Sequence, residues 1–384
     1  MLTSKRAKFT LPPQLTYLNC AYMSPLLKSV EKVGVRAVRK KRNPVNITQQ
    51  DFFTETELLR SEYAKLINAP DPKRIVIIPS VSYGMANVVR NLDIKKGQHV
   101  IVASEQFPSN VYPWQRLCEE TGAGVVTVTP PDDFANRGKR WNEKILESIN
   151  ANTKAVAIGH VHWADGTRFD LEAIRKRTRE VGALLVIDGT QSVGALPFDV
   201  QHIQPDALIC AGYKWLLGPY SIGLAYYGSS FDNGKPVEEN WINRLNSEDF
   251  AGLVNYQHQY QPGALRYEVG EHSNFILVPM LLKAVQQLNN WGPERIQEYC
   301  RNIGQPVLQK LAEKGFILED EAWRSAHLFG IRLLGNVNMD NVKKSLLKNN
   351  VYVSFRGSAI RVAPNVYNTQ KDFDKLYKAL TKAL

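Results

Sequence analysis

The sequence predicts an α/β chain, with a large unit on a mainly parallel seven-stranded sheet and a smaller C-terminal α+β unit. Three observations predict it. Seven short apolar runs lie between about residues 74 and 228: "RIVIIP", "HVIVAS", "GVVTVTP", "AVAIGHV", "ALLVIDG", "ALICAG" and "IGLAYYG". Helical stretches such as "LEAIRKRTREVG" separate them, and continuous apolar strands belong to a sheet covered on both faces. From about residue 292 the pattern changes: the helical "PERIQEYCRNIGQPVLQKLAEKG" leads to "HLFGIRLL", a second helix, "VYVSF", "AIRVA" and a last helix. The expected division is an N-terminal segment over 1–27, a large domain over 28–285 and a small domain over 286–384.

The chain has 384 residues, 44% apolar and 22% charged, enough for a large core, and no segment is repeated or of low complexity. The N-terminal "MLTSKRAKFTLPPQL" lacks the apolar centre of a secretion signal, and no uncharged run is long enough for a bilayer; a soluble cytoplasmic protein with no membrane association is expected. Much of the net charge of +11 sits in "KSVEKVGVRAVRKKR" over 28–42. That stretch reads as a solvated amphipathic helix with Val30, Val33, Val35 and Val38 toward the protein. No nucleic-acid motif accompanies it, so nucleic acid is not an expected partner. Cys20, Cys118, Cys210 and Cys300 are too scattered for a zinc site or disulfide framework, and Cys210 reads as a buried thiol in a reducing compartment. Neither GxGxxG nor GxxxxGK[ST] occurs, so dinucleotide and P-loop chemistry are unsupported. His160 and His162, two apart at a strand end, point to opposite faces, and no metal site is expected from them and Asp165.

Three strand ends carry the chemistry. In "VIIPSVSYGMANVVRNL" a strand ends at Pro79 and a helix begins near Ser82; a hydroxyl and free N–H groups at a helix start suit an anion, and equally a plain N-cap. In "LLVIDGTQSVG" Asp188 ends an apolar strand, where a lone carboxylate is costly and calls for a cation, a salt bridge or a cap in the following turn. In "ALICAGYKWLLGP" Lys214 follows a third strand in an aromatic setting; it is either a snorkelling surface lysine or an amine of lowered pKa, nucleophilic toward aldehydes. Ligands of such sheets collect at the carboxyl ends of the strands. A lysine for an aldehyde, a carboxylate for a pyridine nitrogen and an anion site for a phosphate together fit one cofactor, pyridoxal 5'-phosphate.

These stretches resemble the class V aminotransferase family of fold-type I pyridoxal-phosphate enzymes, a group that includes cysteine desulfurases, selenocysteine lyases, isopenicillin N epimerases and kynureninases. The resemblance runs from "YLNCAYMSPL" to "IRVAPNVYNTQKDFDKL" and is most specific in "DGTQSVGALPFDV", "GYKWLLGP" and "RVAPNVYNT". It implies that Lys214 attaches the cofactor and later moves protons at the substrate α-carbon, while Asp188 keeps the pyridine nitrogen protonated. It implies that Gln191 hydrogen-bonds the cofactor's phenolic oxygen, that Ser82 and the N–H of Tyr83 hold the phosphate with help from Tyr213, and that Phe107 stacks on the ring. Arg361, from the small domain, would grip the substrate α-carboxylate, with Trp163 beside the substrate and segment 1–27 contributing to the site. "RYEVGEHSNF" resembles a segment that relatives lend to the neighbouring subunit, which implies a homodimer with shared sites and offers His272 and Ser273 to the partner's phosphate.

Departures from the pattern narrow the activity. Desulfurases and lyases of this group commonly carry a mobile cysteine before the C-terminal arginine; here that stretch reads "VYVSFRGSAIRVAP". Tyr213 and Ala211 stand where many relatives have histidine and serine or threonine, Phe107 where desulfurases have histidine, and Trp163 where they tend to have asparagine. The expected function is a pyridoxal-phosphate enzyme acting on a small α-amino acid, aminotransferase-like or lyase-like. Epimerase-like or kynureninase-like activity is the alternative, cysteine desulfurase or selenocysteine lyase is disfavoured, and a pyridoxal-phosphate-binding sensor is the non-enzymatic reading.

Overall fold

In the computed structural model, which describes residues 2–333 and 337–383, a two-residue strand β1 (Thr16–Tyr17) precedes the seven apolar runs. The runs form β2 (Ile75–Ile78), β3 (His99–Ala103), β4 (Gly124–Val128), β5 (Thr153–Gly159), β6 (Leu184–Asp188), β7 (Ala207–Ala211) and β8 (Gly223–Tyr227). They make one sheet in the order β2-β8-β7-β6-β5-β3-β4. Neighbours from β7 through β4 are parallel, whereas β8 runs antiparallel to both β7 and β2. The reversal has a local cause: no helix lies between Ala211 and Gly223, and a parallel crossover needs about a dozen residues, usually helical.

Alternate residues of each central strand enter opposite cores, as strands apolar at every position require. Ile75 and Ile77 join one cluster and Val76 and Ile78 the other; Ile101 and Ala103 face away from Val100 and Val102 in the same way. Helices α1 (Lys28–Lys40), α2 (Thr54–Leu66), α5 (Arg137–Ser148), α6 (Leu171–Glu180) and α8 (Leu277–Trp291) supply side chains to the first core. Helices α3 (Val81–Arg90) and α4 (Tyr112–Thr121) cover the second, and a single turn, α7 (Val200–Ile203), precedes β7. The face expected for α1 needs correction. Val30 and Gly34 are buried, and a Cβ on Gly34 would lie 2.6 Å from Met280 Sδ of α8, but Val35 and Val38 are exposed. Val35 lies off the i, i+3/i+4 stripe that starts at Val30, whereas Val38 lies on it but in the last turn of the helix.

The C-terminal part holds a second, fully antiparallel sheet in the order β12-β13-β10-β9, from β9 (Phe316–Leu318), β10 (Phe329–Leu333), β12 (Ser354–Arg356) and β13 (Ala359–Val362). Helices α9 (Pro293–Glu313), α10 (Met339–Lys348) and α11 (Gln370–Thr381) pack on it. "VYVSF" is two strands rather than one. Its first half, β11 (Val351–Tyr352), pairs in parallel with β1, and the N–H of Leu18 donates to Tyr352 O (2.9 Å), so the N-terminal segment takes that edge and only β12 is left for the sheet. Residue 286 falls inside α8, and the change of core comes midway along α9: Ile296 and Cys300 belong to the large core, Val307 and Leu311 to the small one. Among the described residues no helix is long and apolar enough to cross a membrane.

Candidate active site

A cavity of about 320 Å³ lies at the carboxyl ends of β2, β3, β5, β6 and β7, where Ser80, Phe107, Gly159, Asp188 and Ala211 line it. Beyond β7 the chain turns sharply at Gly212, where a Cβ would sit 2.6 Å from Ile222 O. The turn brings Tyr213 and Lys214 back to the cavity wall.

Lys214 is 6% exposed. Its Nζ lies 5.1 Å from the ring centre of Phe107 and 5.3 Å from that of Tyr213, and forms no ion pair or hydrogen bond among the described residues. Burial pushes the ammonium down to about 8; Asp188 acts against that shift, and Arg361 and Arg356 add to it. The neutral, nucleophilic amine therefore gains population as pH rises through about 8. Covalent attachment of pyridoxal phosphate to the cofactor-free chain is expected to accelerate with pH and level off above about 8, as followed by stopped-flow absorbance.

Asp188 accepts a hydrogen bond from Thr190 N–H (3.0 Å), and no side-chain cation pairs with it among the described residues. The expected salt bridge is thus not to the protein. Burial raises this carboxyl above the ordinary range, with Thr190 and Lys214 pulling the other way, and Asp188 lines the cavity. Gln191 is more committed than the sequence suggests. Its amide oxygen accepts from Trp215 Nε1 (2.9 Å) and one N–H donates to Ala21 O (3.1 Å), leaving one N–H. Its backbone oxygen accepts from His327 Nε2 (2.8 Å), a histidine kept neutral by burial, which lowers it to about 4.

The start of α3 is arranged around Ser80 rather than Ser82. Ser80, not Ser82, caps α3; its Oγ accepts the N–H of Tyr83 (3.2 Å), and the Tyr83 hydroxyl donates to Glu238 (2.9 Å). Tyr83 therefore has no free donor for a phosphate. The N–H groups of Val81 and Ser82, at the first two helical positions, have no partner among the described residues, and Ser82 Oγ lies 2.9 Å from Ser80 Oγ. Two serines flank Val81, and sequence alone does not say which one caps.

The opposite wall joins loops to the second sheet. Phe107 meets Trp163 edge-on, centroids 5.4 Å apart at 83°. Trp163 Nε1 donates to Glu105 O (2.6 Å), and Trp163 O accepts from Arg361 Nη1 (2.7 Å). Arg361, on β13, is 1% exposed; Nη2 donates to Ser354 Oγ (3.3 Å) and Nε has no partner. Burial, with Arg356 adding, lowers this guanidinium to about 10. Arg60, Arg137, Arg324 and Arg332, the other buried arginines among the described residues, each pair with a carboxylate, and Arg361 does not. Arg361 is thus a buried guanidinium with no carboxylate partner among the described residues, held against Trp163 of the cavity wall.

Of the other expected residues, Tyr213 packs against Tyr220 (4.6 Å between centroids), and burial pushes its phenol up to about 12. Its carbonyl accepts from Ser24 N–H (3.0 Å) and Oγ–H (3.2 Å), so residues 21–24 abut the site. His272 lies outside the cavity lining, with Nε2 against Phe52 O (3.0 Å) and Nδ1 against Arg60 and Glu268. Both nitrogens are spent on fixing its loop, which leaves Ser273 as the better candidate of the two. Arg356 and His327 were not singled out from the sequence. For Arg356 a signal was available: "SFRGSAIR" reads as a two-residue hairpin turn at Gly357–Ser358, which places Ser354, Arg356 and Arg361 on one face.

A family model described as "Aminotransferase class-V" matches residues 39–376. An uncharacterized aminotransferase of Bacillus subtilis (strain 168), YcbU, is 30% identical over 84% of this chain and 82% of its own length. Among solved structures, the cysteine desulfurase CsdA from Escherichia coli superposes with a TM-score of 0.82 at 22% identity, covering 98% of this chain and 97% of its own. The cystine C–S lyase C-DES, in complex with its reaction product cysteine persulfide, superposes with a TM-score of 0.85 at 19% identity, covering 96% and 97%.

Proposed function

The chain belongs to the class-V aminotransferase family, a family of pyridoxal-phosphate-dependent enzymes of fold-type I that act on amino acids, and from that premise we propose that Lys214 carries pyridoxal 5'-phosphate and that the enzyme works on a small α-amino acid by moving its α-proton. The observation that carries the proposal is the buried, unpaired Lys214 in one cavity with an Asp188 oxygen that has no protein cation. The remaining groups suit the same cofactor: free N–H groups at Val81 and Ser82 for a phosphate, the flat face of Phe107 for a ring, and one free N–H of Gln191 for a phenolic oxygen.

When bound, the cofactor supplies an aldehyde for amines and a ring that accepts the electron pair left at the substrate α-carbon. Lys214, depressed to about 8, takes up and returns a proton near neutral pH, which suits a general base and acid at that carbon. Asp188 holds the proton on the ring nitrogen by charge pairing. Arg361 offers Nε and its remaining N–H groups to the α-carboxylate. Its replacement by glutamine is expected to raise KM for α-amino acids about tenfold or more with a smaller change in kcat, in steady-state assays.

Amino transfer and elimination both begin with this proton removal, and the name of YcbU favours the former. Sulfur relay through a thiol of this chain is disfavoured. All four cysteines are buried, none lines the cavity, and the turn before Arg361 is only Gly357–Ser358 between β12 and β13. Free thiols throughout support a reducing, cytoplasmic setting. A homodimer in which Ser273 reaches the partner's phosphate completes the proposal; sedimentation of a monomer at assay concentration would remove that part. For the central claim, holoenzyme treated with borohydride should carry the cofactor mass on the Lys214 peptide. An amino-acid panel read by spectrum and product (keto acid, sulfide or racemate) then names the reaction, and a panel in which no amino acid alters the spectrum supports the sensor instead.

A further inference from the structure

Arg361 is not the only cation facing the indole of Trp163. Arg356 Cζ lies 5.3 Å from that ring's centre and Arg361 Cζ 5.9 Å. The hairpin register puts them there together. Ser354 sits opposite Arg361, and Arg356, two residues further along β12, projects from the same face opposite Ala359. Both guanidinium charges depress Lys214, so both act across the reaction site. Arg356 has no carboxylate partner among the described residues; its Nη1 donates to Phe355 O (2.8 Å), and its Nε is buried without one. Glu105 comes to the Gly357 side of the turn, 3.9 Å from where a Cβ would sit, and forms no ion pair with Arg356. Two like charges held together with no acid between them are costly. One α-carboxylate uses one of them.

We propose that Arg356 is a specificity residue that binds a second anionic group at the end of the substrate's side chain, so that the preferred substrates are acidic α-amino acids. This rests on the reading of the cavity as a pyridoxal-phosphate site with Arg361 at the α-carboxylate. The short turn favours such a role: Gly357 takes a positive φ of 53°, and a two-residue hairpin holds Arg356 in fixed register with Arg361. Trp163 sets the spacing, since its indole packs near both guanidiniums while its carbonyl fixes Arg361.

The test separates binding from chemistry. Succinate and glutarate, which carry no amine, and the monocarboxylates butyrate and valerate are titrated calorimetrically onto holoenzyme. The dicarboxylates are expected to bind about tenfold or more tighter than the monocarboxylates, as one added charge-assisted hydrogen bond implies. Arg356→Gln should erase that difference and leave monocarboxylate binding unchanged, while Arg361→Gln weakens both classes. In parallel, glutamate should perturb the holoenzyme spectrum at lower concentration than glutamine, and less so in Arg356→Gln. Equal affinity for the two classes overturns the proposal. So does an Arg356→Gln variant that weakens monocarboxylates as much as dicarboxylates, which would assign Arg356 to the α-carboxylate. The wider reading is scored separately on the same variant: borohydride fixation at Lys214 and a spectral response to neutral amino acids keep it standing whichever way the dicarboxylates fall.

Discussion

Lys214→Ala is expected to abolish borohydride-stable attachment of the cofactor and to lower turnover by about 10⁴-fold or more, because one side chain serves as both covalent anchor and proton carrier. Loss of attachment is read by mass spectrometry and loss of rate by product formation. A variant that keeps both would place the chemistry elsewhere. A second variant, Lys214→Met, tests the physical cause. The amine is held at about 8 against an ordinary 10.5, so the unfolded chain binds more protons between those values. Stability therefore rises with pH across that window, and below about 8 the folded chain carries the full cost of a buried ammonium. Methionine keeps the stem and removes the charge. The cofactor-free Lys214→Met chain should melt several degrees higher than wild type at pH 7, with the gain fading above about 10.5. A site that becomes more stable when its reactive group is deleted is kept for function rather than for folding.

The same contrast explains what could be read from sequence. All seven large-sheet strands were legible, because burial on both faces leaves each an apolar run bounded by turn residues. The reversed direction of β8 was not, since direction depends on whether the 212–222 connection contains a helix, and apolar runs carry no sign of direction. Lys214 and Asp188 were legible as residues in costly places and Phe107 only through the family resemblance, and the fold brings all three to one cavity. The cap of α3 was not legible, because either Ser80 or Ser82 satisfies an N-cap preference. "VYVSF" was misread as one strand because its first half pairs with a segment more than 300 residues earlier, and long-range pairing leaves no local trace. His327 was missed for a related reason: an ordinary histidine in "SAHLFG" gains its role only where the fold sets it against Gln191.

Asp188→Asn should divide its effects by cofactor state, and that division identifies its role. In the holoenzyme the change removes the charge that stabilises a protonated ring nitrogen, and turnover is expected to fall about 10²–10³-fold while attachment at Lys214 persists. In the cofactor-free chain the sign reverses. Burial raises this carboxyl above its ordinary value, so the folded state binds its proton more tightly than the unfolded one, and stability declines as pH rises through that interval. Above that interval the cost is present in full; asparagine escapes it and can still accept the Thr190 N–H. Apo Asp188→Asn should therefore melt above apo wild type, and the rise in melting temperature on adding pyridoxal phosphate should shrink. An acid retained only to cap Thr190 would leave the cofactor-induced rise unchanged. Lys214 and Asp188 attract each other, which each single variant forfeits and the double variant forfeits only once. The apo double variant, Asp188→Asn with Lys214→Met, should therefore gain more than the two single gains added together, and the excess measures their attraction across the cavity.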